Sequence, residues 1–272
     1  MKRIALLIAA TMTLSACGPA GDESVSPPKD PDSPVLQVES EGGFAPVEVI
    51  LGQGPRYTLL ADGRLIYEGP QILVYPGPLL PNYQVTRIDD DQMGRILDLV
   101  DEIGLPEMDH EIDDNASSRV ADATTEVVTY WDEAGEHSYS VYALGIEVGS
   151  PPAPTRAFAD LVDLLGRLSA EGEDLGEYQP DRVVIMAGVG LTDPDFEDVR
   201  EWPFDNEDFS EWETLPNGWM CSVHGADVLD LFRDATKATQ WRWVPGDPTH
   251  DAELFTLTVR PLHPGEPGCP DA

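Results

Sequence analysis

Two segments with the pattern of β-hairpins, each followed by the pattern of an amphipathic helix, constrain the fold of this chain most strongly. The first hairpin covers residues 57–67 and turns at Asp62-Gly63, a dipeptide that readily takes the positive φ of a tight turn. The second joins residues 124–131 to residues 138–144 across a four-residue turn ending at Gly135. Strands joined by such short turns lie antiparallel, so both segments predict antiparallel sheet.

Two predicted helices have the same spacing of apolar residues. The first follows Asp89, which can cap it together with Gln92, and ends before Gly104, a residue suited to the position after a helix. The second covers residues 155–169. The apolar positions, at offsets 0, 3, 4, 7 and 10 in both, are Met93, Ile96, Leu97, Val100 and Ile103, and then Phe158, Leu161, Val162, Leu165 and Leu168. One such stripe per helix indicates packing against a sheet.

The remaining elements fix the predicted fold class. A third, shorter helix is predicted over residues 226–235, and further strands at residues 45–50, 72–75, 83–87, 183–186, 219–223, 239–243 and 253–260. This order predicts an α+β fold, with antiparallel sheets built from hairpins and about three amphipathic helices packed on one face. The acidic segment 170–181 suggests a boundary. We therefore expect one α+β lobe at residues 35–172 and a second at residues 173–272, which can pack with the first as one domain.

The first 17 residues have the pattern of an export signal. Lys2 and Arg3 precede an uncharged run over residues 4–14, which is shorter than the roughly 20 residues of a membrane-spanning helix. The next residues complete Leu14-Ser15-Ala16-Cys17, which resembles the lipobox of bacterial lipoproteins. The resemblance implies a signal peptide at residues 1–16, acylation of the Cys17 thiol, and an extracytoplasmic protein held in the cell membrane by its lipid.

The chain that follows the lipobox is similar to uncharacterised lipoproteins of high-GC bacteria, a resemblance that implies no described activity. Residues 17–34 are rich in Pro, Ser, Gly and Asp and contain almost no large apolar side chain. Such a segment cannot bury enough surface to offset the entropy of ordering it. We expect a disordered tether between the lipid and the folded part.

The charge of the mature chain limits its partners. Removal of residues 1–16 takes away two basic residues and no acidic one, which leaves 51 acidic and 14 basic residues and a formal charge of −37. Nucleic acid binding needs a basic surface, so we expect no nucleic acid partner. Anionic lipid is repelled in the same way, so we expect contact with the membrane through the anchor at Cys17.

The sequence contains no recognisable catalytic motif. It lacks Gly-x-Ser-x-Gly, a phosphate-binding loop, a dinucleotide fingerprint and His-Glu-x-x-His. Its five histidines are scattered, and none is spaced from another so as to aim two at one metal ion; they are His110, His137, His224, His250 and His263. We therefore predict no catalytic residue and no cofactor. Calcium is the one ion for which the sequence offers a candidate site.

The best candidate for a metal site is an acidic segment at residues 193–213, which begins with Asp193, Asp195, Glu197 and Asp198. Calcium takes six to eight oxygen ligands and tolerates loop geometry. The segment lacks the glycine and the terminal bidentate glutamate of an EF-hand, and its acids also suit a solvated surface. The aromatic residues among them, such as Trp202 and Trp212, fit core packing better than a sticky surface.

The two remaining cysteines predict a disulfide. With Cys17 assigned to lipid, Cys221 and Cys269 form an even pair in a compartment that favours oxidation. Two free buried cysteines are the alternative.

These observations favour a binding or interaction module of the bacterial cell envelope, with a protein or glycan partner. An envelope hydrolase with a dispersed active site is the competing hypothesis, and a structural role is a third.

Replacement of the lipobox cysteine tests the predicted anchor. We expect Cys17→Ser to leave uncut precursor, because neither acylation nor the cut that depends on it can occur. If another peptidase removes the signal, we expect soluble protein to be released, because the lipid is absent. The check is the mass and the membrane fractionation of the product. A variant that is cut and retained like the unchanged protein contradicts the lipobox interpretation.

Overall fold

A computed structural model describes residues 27–72, 74–108, 110–114, 116, 119–146, 149–190, 198–204, 209–244 and 253–270. These residues form two β-sheets with helices packed on them, so the fold is α+β. Within this part of the chain, no helix is both long enough and apolar enough to cross a membrane.

The first sheet contains both predicted hairpins. Its strands are β1 (Pro34–Gly42), β2 (Tyr57–Leu60), β3 (Arg64–Glu68), β4 (Tyr83–Arg87), β5 (Glu111–Asp113), β6 (Thr124–Trp131), β7 (Glu136–Tyr142) and β8 (Glu173–Glu177). They lie in the order β5-β7-β6-β1-β2-β3-β4-β8. Strand β1 pairs antiparallel with both β2 and β6, which joins the two hairpins into one sheet. Gly63 has the positive φ that the first turn requires.

Two helices cover one face of the first sheet, as their stripes predict. They are α2 (Asp90–Ile103) and α3 (Ala153–Glu171), and a short helix, α1 (Val47–Leu51), precedes them. The capping box of Asp89 and Gln92 is confirmed, and Gly104 is left-handed. Residues such as Ile96 and Phe158 are fully buried in the core beneath the helices. Burial of each such side chain stabilises the fold by about 1.5–3 kcal/mol.

The second sheet surrounds one central strand. Its strands are β9 (Arg182–Val189), β10 (Val199–Glu201), β11 (Glu213–Thr214), β12 (Met220–Gly225), β13 (Gln240–Trp243) and β14 (Glu253–Pro261), in the order β10-β13-β14-β9-β12-β11. Both faces of β9 are buried, which explains its continuous apolar run. On one face lies a core with Phe232, Trp241 and Phe255. The acidic segment's Trp202 and Trp212 join this core, so the interpretation as core packing is confirmed for them.

The sheets are mixed, which corrects the expectation of antiparallel sheets alone. Strand β5 pairs parallel with β7, and β10 pairs parallel with β13. In each pair the partners are separated along the chain by other strands. A tight turn fixes the direction of consecutive strands only, so the hairpin pattern carried no information about these edge pairs.

Three predicted elements differ from the structure. Residues 226–235 begin with a 3₁₀ helix, Ala226–Leu231, which packs on the second sheet, so the helices do not share one face. Of residues 45–50, which were expected to form a strand, residues 47–50 belong to helix α1. The Thr258 hydroxyl in β14 donates to the carbonyl oxygen of Glu48, and tertiary contacts of this kind can override β propensity. Of the strand expected at residues 72–75, the described residues Ile72, Val74 and Tyr75 form an exposed loop.

The expected boundary between the lobes cuts through the first sheet. Strand β8, placed by the sequence in the second lobe, pairs with β4. The second sheet begins at Arg182. The loop between β3 and β4 also crosses over, because the backbone N–H of Leu79 donates to Ala235 and that of Lys237 donates to Gly77.

A buried junction after β14 joins the two sheets. Nη1 of Arg260 donates to Glu266, whose other carboxylate oxygen accepts from the backbone N–H of His263 at 2.6 Å. Nδ1 of His263 lies 2.8 Å from the hydroxyl of Thr58 in β2. The imidazole packs edge-on against Tyr83 and Tyr178, and the Tyr178 hydroxyl donates to the carbonyl of Leu262. We call residues 260–266 with these partners the C-terminal junction.

The predicted disulfide between Cys221 and Cys269 is present. It ties the end of the chain to β12 and lies in a small core with Leu215, Leu262 and Met186. Its partners are 48 residues apart, and a loop of that length corresponds to about 4 kcal/mol of stabilisation in the chain-entropy treatment. The bond therefore helps to hold the C-terminal junction in place.

The buried histidine makes stability depend on pH. Burial, together with the charge of Arg260, lowers the pKa of His263 to about 3, whereas an unfolded histidine has a pKa of about 6.5. Between pH 6.5 and about 3 the unfolded chain therefore binds a proton that the folded chain does not. The free energy of unfolding falls by up to about 1.4 kcal/mol per pH unit as the pH drops through this window.

The variant His263→Asn isolates this effect, because its amide can replace Nδ1 beside Thr58 and does not titrate. Between pH 7 and pH 5 we expect the unchanged protein to lose about 2 kcal/mol more stability than the variant. Urea unfolding at both pH values measures the difference, in which the contributions of the carboxylates cancel. Equal losses in the two proteins contradict a neutral, buried His263.

Candidate functional site

A cleft of about 530 Å³ lies between the two sheets, within the range of 300–1,000 Å³ that is usual for small-molecule sites. Three parts of the chain form its walls: residues 48–56, the loop between β3 and β4, and residues 256–259 of β14. We call it the intersheet cleft. The bond from Thr258 to the Glu48 carbonyl ties the first wall to the third, while Leu79, buried in the core of the second sheet, anchors the loop.

The hydroxyl of Tyr83 is the most informative group in this cleft. Tyr83 lines the cleft but is only 5% exposed, and its hydroxyl makes no hydrogen bond with any residue that the structure describes. Desolvation raises its pKa well above the usual value, so the group stays protonated. The hydroxyl is not among the fully buried polar atoms, so it is open to the cleft, and a ligand that accepts from it adds a hydrogen bond worth about 0.5–1.5 kcal/mol.

Gly54 makes room for this hydroxyl. A Cβ atom at residue 54 would lie 2.6 Å from Oη of Tyr83 and 3.0 Å from Nη1 of Arg260. The backbone therefore approaches both polar groups as closely as only glycine allows. Through Arg260 and through the ring of Tyr83, the cleft is continuous with the C-terminal junction.

Four charged side chains line the same cleft: Arg56, Lys237, Glu48 and Glu68. None of them makes an ion pair within the described part of the chain. The guanidinium of Arg56 lies 5.3 Å from the centre of the Tyr57 ring, and Glu68 accepts a hydrogen bond from Gln71 at 3.0 Å. Two charges of each sign are thus available to a ligand.

Aliphatic side chains at the mouth of the cleft are exposed. Ile72 is 67% exposed, and Val49 and Val74 are also open to solvent. Tyr75, next to them in the chain, is almost fully exposed. Exposed apolar groups gathered around one opening indicate a binding site more than isolated ones do.

A second cleft, of about 700 Å³, opens at the N-terminal end of α3. At its base the Thr155 hydroxyl donates to Asp113 at 2.6 Å and lies 2.7 Å from the hydroxyl of Tyr139. The three side chains thus form one hydrogen-bonded chain from Tyr139 through Thr155 to Asp113, which fixes the position of the first turn of α3. Arg119 and Arg156 line this cleft too, and Arg156 donates to the carbonyl of Pro151.

One serine–histidine contact has the distance of a catalytic pair. Nδ1 of His110 lies 2.6 Å from Oγ of Ser138. Ser138 is buried in β7, and neither residue lines either of the two clefts. A nucleophile must face bound substrate, so this contact acts in the structure of the sheet edge.

The residues singled out from the sequence lie elsewhere. Cys17, Asp193, Asp195 and Glu197 lie outside the described residues. Asp198 accepts hydrogen bonds from Arg200 at 3.1 Å and from Thr239 at 2.5 Å, and these bonds lower its pKa. Among the described residues, no group of three or more His, Cys, Asp or Glu side chains is placed to hold a metal ion.

Sequence reasoning missed the intersheet cleft. Its one signal was the apolar run at residues 72–75, flanked by Pro70 and Pro76; the described members Ile72, Val74 and Tyr75 lie in a loop. The open charges and the free hydroxyl of Tyr83 depend on contacts across the chain and leave no local pattern. The chain matches no family model, no curated protein and no solved structure.

Proposed function

We propose that this chain is a lipid-anchored binding module of the bacterial cell envelope, and that its ligand occupies the intersheet cleft. The observation that carries the proposal is the hydroxyl of Tyr83, which lines a cleft of ligand size and makes no hydrogen bond with any described residue. The exposed Ile72 and Val74 at the mouth add apolar contact area. The envelope location rests on the lipobox at Cys17.

The acidic composition supports the same class of function. A formal charge of −37 on the chain without residues 1–16 disfavours a nucleic acid partner and favours small ligands, peptides and glycans of the envelope. The alternative of an envelope hydrolase has less support, because the His110–Ser138 contact does not open into either cleft.

A pair of matched variants tests the cleft. Ile72→Asp places a carboxylate at its mouth, and Ile112→Asp makes the same change at the edge strand β5, where the isoleucine is 71% exposed. A screen of small amphipathic molecules by thermal unfolding should identify ligands that raise the Tm of the unchanged protein. At 100 times its Kd a ligand stabilises by about 2.7 kcal/mol, which corresponds to a shift of several degrees.

We expect these shifts to be lost in Ile72→Asp and kept in Ile112→Asp, because only the first change alters the cleft. Ligands that stabilise both variants as well as they stabilise the unchanged protein would bind elsewhere, and the intersheet cleft would then not be the site.

A further inference from the structure

We infer that the intersheet cleft binds a short aliphatic peptide through both of its charged termini. The inference rests on the proposed binding function and names the class of its ligand. Three features of the cleft lead to it: the sign and number of its open charges, the kind of apolar side chain around them, and the free donor at Tyr83.

The charges favour a ligand with one charge of each sign. Among the described residues, Arg56 and Lys237 have no ion-pair partner, although the chain has 51 acidic residues. Glu48 and Glu68 line the same cleft and have no ion-pair partner there either. A carboxylate fits the first two and an ammonium group fits the second two. A peptide with free termini supplies both groups.

The net charge of the chain points the same way. A purely anionic ligand is repelled by the overall charge, which is −37 for the chain without residues 1–16, and a purely cationic one meets Arg56 and Lys237 in the cleft. A peptide with two free termini and uncharged side chains has no net charge, so neither repulsion applies. A neutral glycan would leave all four charged side chains without a partner.

The apolar wall favours aliphatic side chains on the ligand. Val49, Ile72 and Val74 line the cleft together with Leu80 and Leu257, and the lining includes one aromatic residue, Tyr83. Sugar sites use aromatic faces for stacking, whereas aliphatic walls suit Leu, Ile or Val side chains. The contact removes apolar surface of both partners from water at roughly 25 cal/mol per Å².

The hydroxyl of Tyr83 completes the match. A peptide presents carbonyl oxygens along its backbone, and one of them can accept from this hydroxyl. In the unliganded protein the hydroxyl has no partner among the described residues. Its removal should therefore weaken binding without weakening the fold.

Calorimetric titration of the purified full chain tests the inference, with Leu-Ala-Leu as the probe. Two blocked peptides, N-acetyl-Leu-Ala-Leu and Leu-Ala-Leu-amide, each lack one terminal charge. We expect the free tripeptide to bind and each blocked form to bind at least about tenfold more weakly, since a charged hydrogen-bonded contact is lost. Blocked forms that bind as tightly as the free tripeptide overturn the inference.

Charge variants assign the ends of the peptide. The double variant Arg56→Met with Lys237→Met should weaken the free peptide at least about tenfold and leave the affinity of the amide unchanged. Glu48→Gln with Glu68→Gln should do the same for the free peptide and spare the N-acetyl form. Controls are Arg95→Met and Glu102→Gln, exposed residues on α2 away from the cleft. Equal losses in cleft and control variants contradict the assignment.

Tyr83→Phe supplies a readout that does not depend on charge. We expect affinity for Leu-Ala-Leu to fall about three- to tenfold, with an unchanged or higher Tm. An unchanged affinity overturns the role of the hydroxyl. If Leu-Ala-Leu fails to bind while other ligands still distinguish Ile72→Asp from Ile112→Asp, the peptide inference fails and the binding function stands.

Discussion

The C-terminal junction is the interaction on which the rest of the structure depends. After β14 the chain leaves the second sheet and lies on the face of the first sheet opposite its helices, where Leu60, Ile66 and Val85 form a small core. Two oxygens of Glu266 hold Arg260 and the backbone of His263. Because both partners of the ion pair are about nine-tenths buried, loss of either would leave an unpaired charge inside, at a cost of about 3–5 kcal/mol.

The same junction shapes the candidate site. Tyr83 packs its ring on His263 and lines the intersheet cleft. Arg260 lies behind Gly54, which leaves no space for a side chain between the guanidinium and the backbone. The disulfide of Cys269 holds the end of this segment against β12. A cleft between two sheets needs a fixed relation of its walls, and here the junction outside the cleft adds to the bond between Thr258 and Glu48 within it.

Local patterns predicted much of the fold and none of the cleft. Asp62-Gly63, the capping box of Asp89 and the stripe on α3 each act through neighbours in the chain, so the sequence reveals them. The parallel pairing of β5 with β7 depends on residues far apart, as does the helix at Val47–Leu51, which contacts β14. The free hydroxyl of Tyr83 is defined by the whole fold around it. Pairing of Cys221 with Cys269 was predictable because assigning Cys17 to lipid left two cysteines, and the expected export favoured their oxidation.

Unfolding in urea followed by two probes tests most directly whether the C-terminal junction makes the sheets one cooperative unit. Five of the six tryptophans lie at residues 202–243, so fluorescence reports on the second sheet, whereas far-ultraviolet circular dichroism reports mainly on α2 and α3 of the first. The account predicts that both probes give the same midpoint in the oxidised protein. Two separate midpoints would contradict it, because the sheets would then unfold independently and the junction would not hold the cleft.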